Sequence, residues 1–199
     1  MRSYEIRKMT EAGWAEIPVL PIDNKYFETP EHITAQAQLA YDDTAILVHL
    51  STVERDIRAV ENGPLGSPCE DSCLEFFFCP MEGDVRYFNV EYNSNGCIYL
   101  GFGSYIGDLI RLIPADGVDV FEPKIVRGEG KWEITYSIPY SFIRRFFPAF
   151  GVFSGKRIRA NCYKCADFSE PPHYIAWSPI VGEPFKYHRP ECFGEMIFE

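Results

Sequence analysis

Glu75 and Glu91 interrupt two strongly apolar, aromatic stretches. CEDSCLEFFF, residues 69–78, runs from an acidic turn into a hydrophobic segment and plants Glu75 inside it, and YFNVEYN, residues 87–93, does the same with Glu91. A carboxylate in such a place can accept directed hydrogen bonds, exchange a proton, or close a buried polar network. Paired carboxylates about 5 Å or about 6.5–9.5 Å apart perform glycoside hydrolysis, so the two residues are first read against that chemistry. The chain offers no GxSxG elbow, metal triad or phosphate loop to complete an active site.

The elements that must position these groups are short strands. ITAQAQLAY (33–41), TAILVHLS (44–51), CLEFFFCP (73–80), VRYFNVEYN (85–93), CIYLGFG (97–103), KWEITYSIP (131–139) and KRIRANCYK (156–164) are rich in β-branched and aromatic residues. Turn signals such as NSNG and GEG separate some of them, and IPYSFIRRFF offers one or two turns of helix after Pro139. Many short strands without alternating helices predict an all-β fold, specifically a two-sheet antiparallel β-sandwich, jelly-roll-like, with short helical turns; an up-and-down barrel is the alternative. At 199 residues, the chain is expected to form one domain over 1–199.

Period-two alternation then sorts the faces. Leu74, Phe76 and Phe78 fill the intersheet core, and Glu75 lies opposite them with Cys73, Phe77 and Cys79. On the next strand Tyr87, Asn89, Glu91 and Asn93 oppose Phe88, Val90 and Tyr92. On the late strand Arg157, Arg159, Asn161 and Tyr163 oppose Ile158, Ala160 and Cys162. Three strands therefore contribute outer rows of amides, carboxylates, guanidinium groups and phenols. That mixture supplies the directed donors and acceptors that vicinal hydroxyls need, and aromatic rings supply flat cover for sugar C–H faces.

Composition removes other classes. A formal net charge of −10 repels polyanions, and no basic run interleaves with aromatics, so neither nucleic acid nor an anionic membrane is an expected partner. The N-terminal MRSYEIRKMTEAGW lacks the apolar core of a secretory signal, and seven cysteines, an odd number in a chain of this size, read as buried thiols. Both features favour a cytoplasmic setting.

CEDSCLEFFF, YFNVEYNSNGCIYLGFG, WEITYSIPYS, ANCYKC, HYIAWSPI and FKYHRPECFGEMIF together resemble the family 9 carbohydrate-binding modules, from about Trp14 to the C-terminus. The resemblance implies a β-sandwich that binds mono- or oligosaccharides, at chain ends in characterised members, without acting on them. It also implies a glycan-degrading enzyme as partner and structural calcium as cofactor. The family pattern of an aromatic, acidic residues and a binding carboxylate falls on Cys69, Glu70, Asp71 and Glu75, with Cys69 standing at the aromatic position. A missing ring there weakens a pyranose site or changes its ligand. The resemblance places a second stacking ring at Trp177 and a hydroxyl-binding amide at Asn161, and makes Trp132 a core residue.

The binding set expected from these arguments is Glu75, Asn161 and Trp177, supported by Arg159, Tyr87, Asn89 and Glu91. Two alternatives stand beside it: an enzyme using Glu75 and Glu91, and a structural sandwich that has lost its ligand, with Trp177 packed down and Glu75 tied to Arg159. No metal ligand set is assigned. The pair Asp42 and Asp43, or Glu70 and Asp71, could contribute oxygens to calcium, and Cys162 with Cys165 could contribute thiols to zinc only if folding brought Cys192 together with His173 or His188 to them.

Overall fold

The computed structural model describes residues 2–113 and 120–199. Its strands are β1 (Ser3–Lys8), β2 (Leu20–Ile22), β3 (Asn24–Tyr26), β4 (Thr34–Tyr41), β5 (Ala45–Val53), β6 (Cys73–Cys79), β7 (Tyr87–Asn93), β8 (Ile98–Gly103), β9 (Ile110–Arg111), β10 (Lys124–Gly128), β11 (Lys131–Pro139), β12 (Arg157–Ala166), β13 (His173–Ala176) and β14 (Gly194–Phe198). One short helix, α1 (Tyr140–Arg144), follows β11, where the sequence predicts it. Every strand read from the sequence is present. The tight Glu129–Gly130 connection between β10 and β11 needs a residue that tolerates the left-handed region, and Gly130 supplies it at φ +65°.

The all-β expectation holds, but two separate sheets do not form. Hydrogen bonding is continuous along the order β10-β11-β5-β4-β1-β14-β12-β6-β7-β8-β9, mostly antiparallel. The joint is β1, a strand the sequence reading missed. Its residues Ser3 to Ile6 pair in parallel with Glu195 to Phe198 of β14, while Arg7 and Lys8 pair in parallel with Ala40 and Tyr41 of β4. A strand that changes partner along its length makes a corner, so one sheet curls into a half-barrel.

The inner face carries the main core. Leu74, Phe76, Phe78, Phe88, Val90, Tyr92, Ile158, Ala160 and Cys162 meet Leu39, Val48, Leu50, Trp132 and Ile134 from the other limb. The alternation read from the sequence is therefore correct on β6, β7 and β12. The outer face of those strands is covered as well. Phe77, Cys79, Tyr87 and Tyr163 form a second apolar cluster with Ala176, Ile180 and Phe193, so every residue of β6 and β7 is buried.

Within the inner packing sits a buried ionic group. Lys164 on β12 is fully buried, with Nζ 3.3 Å from Glu54 Oε2, 2.8 Å from His173 Nε2, and donating to the Cys165 carbonyl at 2.9 Å. Ser72 donates its hydroxyl to Glu54, and Trp132 Nε1 donates to Ser72 Oγ at 2.7 Å. The group ties the end of β5 and β11 on one limb to β6, β12 and β13 on the other. Burial alone would raise the Glu54 pKa, but Lys164, His173 and Ser72 overcome it and hold the carboxyl at about 2.

Glu54 titrates lower in the fold than in an unfolded chain. Its contribution to stability is therefore complete above about 4.5 and is lost as pH falls from there through about 2. Lys164→Met is expected to destabilise the protein by about 3–5 kcal/mol at neutral pH, because it strands a buried charge. Urea unfolding at neutral pH and at pH below 4 checks both points. The gap between the variant and the wild type narrows in acid.

Candidate functional site

The outer row of the central strands is set by register. Glu75 on β6 lies directly opposite Glu91 on β7 and opposite Tyr163 on β12, and Cys73 lies opposite Cys165 and Asn93. The chain after β13 folds back over this row. Tyr187 stacks on Tyr163 with ring centroids 4.1 Å apart and its hydroxyl donates to the Lys164 carbonyl at 2.9 Å, while Tyr163 donates to the Tyr187 carbonyl at 3.0 Å. The roof thus stands on the aromatic tips of the floor.

Between roof and floor is a cavity of about 720 Å³. Glu75, Glu91 and Cys165 reach it from the strands, and Cys69 and Asp167 from the adjoining turns. Its walls are Phe27, Tyr174, Phe185, Tyr187 and His188. Phe27 is the exposed member, its ring edge-on to Tyr174 and Phe185 at 5.5 and 5.0 Å. A largely apolar pocket with a few converging polar groups is the usual form of a small-ligand site.

The floor is acidic and buried. Burial, and then the neighbouring Glu91, push the Glu75 pKa well above the carboxylate range. Burial also raises Glu91 to about 7, against a hydrogen bond from Asn89 Nδ2 at 2.6 Å and the Arg111 charge. Asp167 is raised by burial despite bonds with Tyr174 and Cys69. Glu75 Oε1 accepts from the Cys165 thiol at 2.9 Å, and Oε2 is buried without a protein partner. Burial, helped by the Lys186 charge, lowers His188 to about 4, so its ring is neutral near pH 7. A carboxylic acid kept protonated can donate as well as accept.

The structure brings together only part of the expected set. Glu75 and Glu91 share the floor. Asn89 lies behind Glu91 as its donor, and Tyr87 hydroxyl lies 2.9 Å from His188 Nδ1, so these two support the site without lining it. Trp177 is a correction: it is 3% exposed and belongs to the inner core, on the opposite face of the sheet from Glu75. It follows Ile175 by two residues, and that spacing gives both the inward direction. Asn161 is corrected too. Its amide donates to the Ser178 carbonyl at 3.0 Å and accepts from the backbone of Cys162 and Ser178, which spends it on fastening the chain beyond β13 to β12. Arg159 pairs in register with Cys79 and Glu195, two rows away, and is not tied to Glu75. Trp132 is the core residue the resemblance implied.

Cys162 and Cys165 cannot share an ion, because three residues along a strand reverse the face: Cys162 enters the inner core and Cys165 reaches the cavity. The oxygen donors considered for calcium have partners within the protein. Asp42 accepts from the Thr44 and Ala45 amides, Asp43 pairs with Lys8, and Asp71 accepts from the amides of Val60 and Glu61 and from Asn93 while facing Arg58. Glu70 offers no neighbouring carboxylate cage among the described residues.

Phe27, Tyr174, Phe185 and Asp167 were not singled out from the sequence. All lie in loops or on a four-residue strand too short to show a period, and the clusters KYF and PFKYH are the one signal that pointed to them. Glu75 and Glu91, as directly opposed residues, stand side by side on one wall. Glycosidic cleavage needs its two carboxyls to flank the scissile bond, a geometry that one wall does not provide.

The curled, mostly antiparallel sheet thus carries a roofed, aromatic-walled pocket with carboxyl groups on its floor. The family model for "Carbohydrate-binding family 9" matches residues 9–198, and the chain belongs to that family of carbohydrate-binding modules. It is similar over its whole length to a candidate carbohydrate-binding protein from Bacteroides uniformis ATCC 8492, with 30% identity, a TM-score of 0.84 and 99% of that chain covered. Two structures of a family 9 carbohydrate-binding module from Caldicellulosiruptor kristjanssonii share the fold at 13% identity. The one in complex with glucose has a TM-score of 0.70 with 100% of this chain and 96% of that chain covered, and the one with cellotriose has 0.69 with 100% and 94%. No curated protein matches the sequence.

A backbone test of the floor follows from Gly101 on β8. A Cβ there would stand 1.8 Å from Asn89 Oδ1, so Gly101→Ala must push Asn89 off Glu91. The expected result is a loss of about 1–3 kcal/mol, read by thermal or urea unfolding.

Proposed function

We propose that this protein binds a mono- or oligosaccharide, reversibly and without cleaving it, in the cavity between the β6-β7-β12 floor and the aromatic roof. The cavity itself carries the reading: protonatable carboxyls on the floor face rings on the wall. Glu75, Glu91 and Asp167 would exchange hydrogen bonds with hydroxyls, and Phe27, Tyr174 and Phe185 would cover the apolar face of a pyranose. These rings take the part of the aromatic that Cys69 replaces and of Trp177, which is buried.

Several observations support this reading. Glucose and cellotriose occupy the Caldicellulosiruptor relatives. The floor is preformed by strand register, so little ordering opposes binding. In this role the module would hold a glycan for a separate degrading enzyme, and its unpaired cysteines, all but Cys69 buried, fit a reducing compartment.

Calorimetry with glucose, cellotriose and a wider glycan panel tests the reading. Phe185→Ala is expected to weaken binding roughly three- to tenfold, and Glu75→Ala about tenfold, while Trp177→Phe leaves affinity within about twofold because the ring faces away. Absence of any saccharide response at millimolar concentration would contradict the function. Binding untouched by both cavity variants would contradict the site, and hydrolysis of cellotriose would contradict the non-catalytic role.

A further inference from the structure

We infer that the cavity floor holds a thiophilic divalent cation, with zinc the best match, bound by Cys73 Sγ, Cys165 Sγ and one carboxyl oxygen of Glu75. The three donor atoms lie within 4.8 Å of one another and all three residues are buried. They converge because β6 and β12 set Cys73 opposite Cys165, and Glu75 follows Cys73 by two residues on the same face. A tetrahedral zinc site with Zn–S of about 2.3 Å and Zn–O of about 2.1 Å requires donor separations of about 3.6–3.8 Å, inside the 4.8 Å that spans the cluster.

A second observation points to a ligand. Glu75 Oε2 is buried and has no protein partner, although the side chain is only 2% exposed. A buried carboxyl oxygen that bonds nothing is expensive, and a cation held by the Glu75 carboxylate and the two sulfurs, in place of the Cys165 thiol's bond to Oε1, would use that side chain's spare capacity. Two sulfurs and one carboxylate suit zinc and exclude calcium or magnesium as the preferred ion. Binding converts two thiols to thiolates and the Glu75 carboxylic acid to a carboxylate, and releases their protons to solvent.

Three protein donors leave a fourth position, and the cavity, which Glu75 and Cys165 help to line, offers a direction for it. Water or an oxygen of whatever occupies the cavity would complete the tetrahedron. This arrangement is the one seen where zinc meets an exchangeable ligand, as opposed to a closed structural site. The inference does not depend on the occupant being a sugar.

The chain, purified under reducing conditions and stripped with a chelator, is titrated with zinc against a chromophoric competitor and, separately, with cobalt(II). One equivalent of zinc is expected, with a near-ultraviolet thiolate-to-cobalt charge-transfer band. Cys73→Ser and Cys165→Ser should each lose about a hundredfold in affinity, while Cys79→Ser, six residues along β6 from Cys73, retains it. No charge-transfer band in the wild type would overturn the inference, as would a band surviving in Cys165→Ser, or a Cys73–Cys165 disulfide that forms in the presence of zinc and reductant. Saccharide calorimetry on stripped and zinc-loaded protein separates the two proposals: sugar binding without zinc binding refutes only the cation, and zinc binding without sugar binding refutes only the saccharide.

Discussion

The rest of this structure depends on one fact about β6: it is buried on both faces and still carries a carboxyl group. A strand in that position must satisfy its polar side chain within the protein or present it to a ligand. Glu75 finds a thiol donor for one oxygen and no protein partner for the other. No basic side chain pairs with it among the described residues. The cavity above it is therefore the place where its remaining hydrogen-bonding capacity can be used, and Tyr187 and Phe185 wall that place.

The floor can be this exact only because the two limbs of the sheet are fastened. The Lys164, Glu54 and His173 group lies one residue along β12 from both Tyr163 and Cys165, whose side chains face the opposite way. Fixing Lys164 on the inner side fixes its neighbours on the outer side, since rotation of one strand residue carries the next. The core-facing ion group and the cavity-facing row are thus two sides of a single constraint on β12.

Much of the fold was legible in the sequence. The seven long strands and their inward and outward rows follow from alternation of large apolar residues with others, a signal that survives burial on the outer face because the two faces hold different residue types. The joining of the sheets was not legible, because β1 shows only Tyr4 and Ile6 as periodic residues and its pairing changes partner halfway. Glu75 and Glu91 were found because a charge inside an aromatic run is conspicuous. Trp177 was misplaced because its face is set by β13, four residues long, and the rings that do wall the cavity come from loops whose position depends on the completed sheet.

Solving the structure with cellotriose bound is the most direct test of the central claim. The account places the sugar against the Phe27 and Phe185 rings, with at least one hydroxyl within hydrogen-bond distance of Glu75 or Glu91. Density for the ligand elsewhere, for example in the groove beside Thr34, Val53 and Lys131 on the other limb, with the roofed cavity filled by water alone, would contradict it.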